Sequence, residues 1–180
     1  IVGQLFVVPT PIGNLDDITF RAVKILKKVS LIAAEDTRVT RKLLKHFEIH
    51  TPMTSFYEHN ELVKLEVVFG ALKTGDVALV SDAGTPGISD PGFVLIREAL
   101  QRGVKVVPLP GPTALIPALI GSGMPTDRFI YLGFLSKKSG PRREQFKSVA
   151  EERGTVVFYG SAFRLGETLQ DALQVLGDRN

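Results

Sequence analysis

The chain has 180 residues, of which 44% are hydrophobic and 23% charged, and it contains no cysteine. A chain of that length buries roughly 70% of its unfolded surface, so it needs neither disulfides nor metals to fold, and the composition excludes disordered, collagenous and coiled-coil chains. The lack of thiols removes disulfide frameworks, cysteine nucleophiles, iron–sulfur clusters and thiolate zinc sites. The net charge of +3 is local: through Asp127 there are 13 Lys and Arg against 13 Asp and Glu, and from Arg128 onward 9 against 6.

Taken in chain order, short β-rich apolar runs alternate with helical patterns, the signature of βαβ units and a mostly parallel sheet. Leu5 to Val8 reads as a strand, Pro9 to Asp17 as a loop, and Ile18 to Val29 as a helix. Leu31 to Ala34 is a buried strand, and Thr37 caps a helix through Phe47 whose apolar side is Val39, Leu43, Leu44 and Phe47. Met53 to Phe56 is a third strand, Asn60 caps a helix reaching Leu72, and Val77 to Val80, apolar throughout, suits a central strand buried on both faces. Gly92 to Arg102 reads as a helix and Val104 to Val107 as strand five. Thr113 caps a small apolar helix toward Gly121, which Pro117 kinks. Past a boundary in Gly123 to Asp127 come a strand at Phe129 to Leu132, a basic loop, a helix near Arg142 to Glu152, a strand at Thr155 to Tyr159 and a helix from about Ser161. The expected domains are 1–125 and an incomplete 126–180, whose sheet needs residues from elsewhere to complete it.

Ligands of open parallel sheets bind outside the carboxyl ends of the strands. Four unusual segments fall there: Pro9 to Asp17, Ala34 to Arg38, Ser81 to Gly92 and Pro108 to Ala114. Turn chemistry alone places Gly, Pro, Asn and Asp after strands, so any one of them has a structural explanation. The third is longer than an ordinary βα connection and holds three glycines and two prolines, which suits recognition of a small polar ligand by fixed main chain.

The sequence contains no P-loop, no G-x-G-x-x-G after the first strand and no nucleophile elbow. His46, His50 and His59 lack zinc spacing, and no metal site is expected. Glu35 and Asp36 are the candidates for acid–base work at a strand end; equally, Asp36 supplies negative charge at the N-terminus of the next helix, offset by Arg38 and Arg41. Lys137, Lys138, Arg142 and Arg143 put four cations in seven positions, either a solvated surface or a grip on nucleic-acid phosphates. Arg38 joins them as an expected RNA contact.

The strings VPTPIGNLDDIT, AEDTR, SDAGTPGISDPG and PLPGPTA, with GFL ahead of a basic loop, resemble the small-subunit ribosomal RNA methyltransferase I family of the tetrapyrrole methylase superfamily, from about Gly3 to the end of the chain. The resemblance implies a two-domain α/β fold, with a mostly parallel sheet in the N-terminal domain and a C-terminal domain that closes a cofactor cleft and continues past Asn180; the usual initiating Met is absent here. It implies transfer of a methyl group from S-adenosylmethionine to the ribose 2′-hydroxyl of a cytidine in small-subunit ribosomal RNA, by a homodimer. The cofactor residues it implies are Pro11 and Gly13, then Ser81, Asp82, Ala83, Gly84, Ile88 and Ser89, then Thr113 and Ala114, with Phe134 and Leu135 from the second domain. The rival readings are a tetrapyrrole C-methyltransferase and a non-catalytic RNA-binding module. The longest apolar runs fall short of the roughly 20 residues that span a bilayer, and no charged segment precedes an apolar one at the start, so a soluble, cytoplasmic protein without membrane partners is expected.

Overall fold

The computed structural model describes residues 2–57, 61–89 and 92–179, and they form two compact units, Ile1–Ala114 and Leu115–Asn180. The division falls ahead of the boundary that composition marks, because the helix at Leu115–Gly121 packs on a strand of the second unit and Thr155 Oγ1 donates to the Pro125 carbonyl at 2.6 Å.

The first unit is a five-stranded, all-parallel sheet in the order β3-β2-β4-β1-β5, made of β1 (Leu5–Val7), β2 (Leu31–Ala34), β3 (Met53–Ser55), β4 (Val77–Val80) and β5 (Val106–Pro108). β4 lies in the centre with all four residues buried, as its unbroken apolar sequence requires. Helices α1 (Phe20–Lys28), α2 (Thr37–His46), α3 (Glu61–Leu72) and α4 (Gly92–Gln101) connect the strands. Right-handed crossovers in this strand order send the first two helices to one face and the last two to the other. The core divides the same way: Ala22, Leu26 and Leu44 pack with Phe6, Ile32 and Ala78, while Val68, Phe69, Leu72 and Leu95 pack with Leu5, Ala33 and Leu79.

Local chemistry sets the helix starts. Thr19 Oγ1 accepts the Ala22 N–H at 3.0 Å, so α1 begins at Phe20 instead of Ile18. Asp36, not Thr37, caps α2, its carboxylate accepting the Arg38 N–H at 2.8 Å; a carboxylate placed there also meets the positive end of the helix dipole. The caps expected of Asn60, and His59 beside it, lie outside the described residues. Strand five starts at Val106, two residues later than its apolar pattern suggests.

In the second unit, α5 (Leu115–Gly121) precedes a parallel pair, β6 (Phe129–Phe134) and β7 (Thr155–Tyr159), joined through α6 (Ser139–Lys147) and followed by α7 (Leu165–Leu176). Pro117 stands in the first turn of α5, where a missing N–H leaves no bond unmade, so it does not break the helix. The β6–β7 register shifts between Tyr131 and Phe134, where Gly133 takes φ +70°. α6 starts three residues ahead of the expected Arg142, and the supposed loop is helical from Ser139.

Candidate functional site

The four loops singled out from sequence meet at the carboxyl edge of the first unit's sheet. Thr10 and Gly84 exchange both backbone hydrogen bonds, at 3.0 and 2.9 Å, making an isolated antiparallel bridge between the loops after β1 and β4. Thr10 Oγ1 donates to the Ser81 carbonyl at 3.1 Å, and Thr85 Oγ1 to the Pro112 carbonyl at 3.0 Å, which ties in the loop after β5. Gly111 lies so close to Pro9 that an added Cβ would stand 2.7 Å from the proline Cβ. Gly84 has φ +81°, a conformation that strains any L side chain.

The loop after β2 joins through carboxylates. The Asp36 N–H donates to Asp82 Oδ1 at 3.0 Å, and the Asp82 N–H donates to Glu35 Oε2 at 3.2 Å, so adjacent chain segments are laced in both directions. Asp36 is also bound by the Arg38 guanidinium at 2.7 Å, and that contact foremost holds its carboxyl down at about 2. A carboxylate so stabilised accepts a proton weakly, and the geometry gives Asp36 the capping role. Asp82 differs, because burial pushes its pKa up from the usual carboxylate value.

Pro11, Gly13, Ser81 and Asp82, expected from the resemblance, line one pocket of about 250 Å³. Its other walls are Thr10, Leu15 and, from α2, Val39, Thr40, Lys42 and Leu43. The α2 contribution is what sequence reasoning missed: Val39 and Leu43 belong to the apolar side of an amphipathic helix, and their i, i+4 spacing puts them on one face without showing whether that face meets core or cavity. Nothing lies within 4 Å of where a Gly13 side chain would start. Gly84 forms the bridge, Ala83 just ahead of it accepts the Ser81 hydroxyl at 3.4 Å, half-exposed Ile88 follows, and Ser89 has the left-handed φ of +61°. Asp90 and Pro91 of the same string lie outside the described residues. Thr113 and Ala114 follow the tethered Pro112, each partly buried or exposed at the edge.

In the second unit, Phe134 is 60% exposed at the end of β6, and Leu135 donates its N–H to the Tyr159 carbonyl at 3.0 Å. The basic cluster divides. Lys137 and Lys138 are exposed, but Arg142 is 2% exposed and cannot meet a phosphate: it binds Asp171 Oδ2 through Nε at 2.8 Å and Nη2 at 2.7 Å. Its Nη1 donates to the Ser136 and Lys137 carbonyls at 3.2 and 3.3 Å. Arg143, half-exposed, binds the other oxygen of Asp171 at 2.7 Å, and Ser139 Oγ donates to it at 2.9 Å.

An all-parallel doubly wound sheet whose strand-end loops are knitted into a pocket defines an α/β protein built to hold a small ligand at that edge. Residues 4–180 match the model of the Tetrapyrrole (Corrin/Porphyrin) Methylases, and the chain belongs to that family. It is 52% identical over 177 residues to the ribosomal RNA small subunit methyltransferase I of Escherichia coli O157:H7, covering 98% of this chain and 62% of that protein. The corresponding protein of Synechocystis sp. is 51% identical over 177 residues, with 98% and 63% covered. The chain thus spans about three fifths of the length of these curated relatives. Among solved structures, a diphthine synthase superposes with TM-score 0.72 at 14% identity, over 96% of this chain and 71% of that one. A uroporphyrin-III-C-methyltransferase from Thermus thermophilus does so with TM-score 0.64 at 16% identity, over 96% and 73%. At such identities the structures speak for the fold alone. Among the described residues, no helix is long and apolar enough to cross a membrane.

Proposed function

We propose that the protein methylates small-subunit ribosomal RNA, using S-adenosylmethionine and taking as acceptor the 2′-hydroxyl of a cytidine ribose, as a homodimer in the cytoplasm. The observation that carries this reading is half identity, across nearly the whole chain, to proteins bearing the name of that methyltransferase. The knitted edge fits the cofactor: it offers main-chain donors and acceptors held by Pro and Gly, open space above Gly13, and carboxylates suited to an ammonium group or ribose hydroxyls. When bound, S-adenosylmethionine supplies a methyl group on a positively charged sulfur.

What the chain contributes is position and a place for a proton. Loops fixed before binding hold an acceptor in line without further loss of freedom, which can account for much of the acceleration. The hydroxyl proton needs a base within hydrogen-bond reach, and Glu35 and Asp82 at the joined ends of β2 and β4 fit that role better than Asp36, whose carboxylate is occupied by Arg38. Asp82, with its raised pKa, has to be ionised to act, so transfer falls as pH drops through that value and is flat above it.

The test is transfer of labelled methyl by the full-length protein to unmodified small subunits, naked RNA and a tetrapyrrole as alternative acceptors. Label mapped to a ribose is expected, and label on the tetrapyrrole alone overturns the reading. Single-turnover rates of Glu35→Gln and Asp82→Asn are expected to fall on the order of a hundredfold; normal rates in both place the base elsewhere. Gly84→Val, which strains the bridge and points a side chain toward Ile12 and Pro112, is expected to abolish cofactor binding by calorimetry, and undiminished affinity removes this loop from the cofactor site.

A further inference from the structure

The near-neutral charge of the first unit conceals a strong separation between the two faces of its sheet. Residues 20–47, which hold α1 and α2, carry eight of the unit's thirteen Lys and Arg but only two acids, whereas the remainder of the unit carries five against ten. On α1 the cations are Arg21, Lys24, Lys27 and Lys28; on α2 they are Arg38, Arg41, Lys42 and Lys45, and all eight are exposed. Neither helix contains an acidic residue. Among the described residues only Arg38 of these eight has an ion-pair partner, Asp36. On the other face, by contrast, Arg102 is paired with Glu66 at 3.1 Å and Glu98 at 3.8 Å and lies over the Phe69 ring.

Because both helices cover the same side of the sheet, their cations form one surface. It extends about 15 Å along the ten residues of α2 and begins at the functional edge, where Lys42 is itself a wall of the pocket. Phe20, 91% exposed, opens α1 at that same edge. Unopposed cations beside an exposed aromatic ring are what single-stranded nucleic acid uses, phosphates on the charges and a base stacked on the ring. A lipid surface fits less well. A helix lying in a membrane interface needs an apolar face to insert, and the apolar sides of α1 and α2 are turned inward to the core and the pocket, with Leu26 and Leu44 almost fully buried.

We propose that the outer face of α1 and α2 is the principal track for the RNA phosphate backbone, leading the strand to the pocket. The choice of RNA rests on the function proposed above. The experiment uses full-length protein and an unmodified small-subunit ribosomal RNA fragment, with affinity measured between 50 and 200 mM salt. It compares wild type, a five-fold variant (Lys24→Ala, Lys27→Ala, Lys28→Ala, Arg41→Ala, Lys45→Ala), and Lys73→Ala with Lys105→Ala, two cations away from these helices. Each lost single-strand contact removes about 0.7 from the slope of log affinity against log salt, so the five-fold variant is expected to lose about 3.5 and to bind on the order of a hundredfold more weakly at 150 mM. The two-cation control keeps the wild-type slope, and unchanged calorimetric affinity of the five-fold variant for S-adenosylmethionine shows that the fold is retained. If wild type methylates RNA and the five-fold variant keeps its slope, this face is not the track. If the variant loses binding to phosphatidylserine vesicles and not to RNA, the face serves a membrane and the proposal is overturned. Wild type that neither binds nor methylates the RNA overturns the functional reading, and this one with it.

Discussion

Arg142 and Arg143 give their guanidinium groups to Asp171, whereas the cations along α1 and α2 face solvent with no acid in either helix. The two basic regions are therefore opposites in kind. In the second unit positive charge is structural: Arg142 is buried, neutralised, and holds the Ser136 and Lys137 carbonyls so that the turn into α6 keeps its shape. In the first unit positive charge is surplus, held outward by helices whose inner sides are core. A dense run of Lys and Arg along the chain is a poor guide to where a protein is positive, because packing decides which charges still have a field to offer.

The contrast can be broken most directly at Arg142. Arg142→Met takes one of the two guanidinium groups from buried Asp171 and leaves the Ser136 and Lys137 carbonyls without their donor, and is expected to cost about 3 kcal/mol, while Arg41→Met on α2 stays within about 0.5 kcal/mol; chemical unfolding of both variants measures the gap. Equal, small losses would mean that the buried pair is not structural. Acid sharpens the same point. Arg143, with Ser139 and Arg142, lowers the Asp171 pKa from 3.8 to about 2, so its contribution is fully present above pH 3.8 and is lost as pH falls toward 2. Unfolding midpoints between pH 5 and 2 are expected to fall less steeply in Asp171→Asn than in wild type. The exposed remainder of that cluster has a smaller effect: Lys137→Ala with Lys138→Ala is expected to lower the salt slope of RNA binding by about 1.4, against about 3.5 for the helix face. A larger loss at the two lysines would reverse the ranking of the regions. The slightest effect is expected from Arg38→Ala, whose pair with Asp36 is solvent-exposed: unfolding is nearly unchanged, while titration by NMR finds the Asp36 carboxyl moved up from about 2 toward its ordinary value.

Much of the fold was legible because local rules and burial agree in it. The unbroken apolar run at Val77–Val80 is the central strand, and the Gly- and Pro-rich strings after the strands are the loops that meet at one edge. Element ends were less legible where a side chain one residue away took the cap, as Asp36 did from Thr37. Arg142 was misread for a different reason: its partner, Asp171, is 29 positions away on α7, and nothing in either local pattern announces a buried ion pair. Residues 20–47 were overlooked because counting charge along the chain averages over the two faces of a sheet. The pocket wall from α2 was hidden in an ordinary amphipathic pattern, in which residues lining a cavity and residues lining a core look alike.

The bridge between Thr10 and Gly84 joins loops that follow neighbouring strands but lie 74 positions apart in sequence. Two loops bonded to each other move as one body, so a ligand that touches either finds both already arranged. The disorder that separate loops would have surrendered on binding has been given up during folding, and a small ligand can be held firmly by few contacts. The same coupling makes distant substitutions interdependent: a change near Pro11 and one near Gly84 are expected to alter ligand affinity non-additively, although no side chain need pass between them.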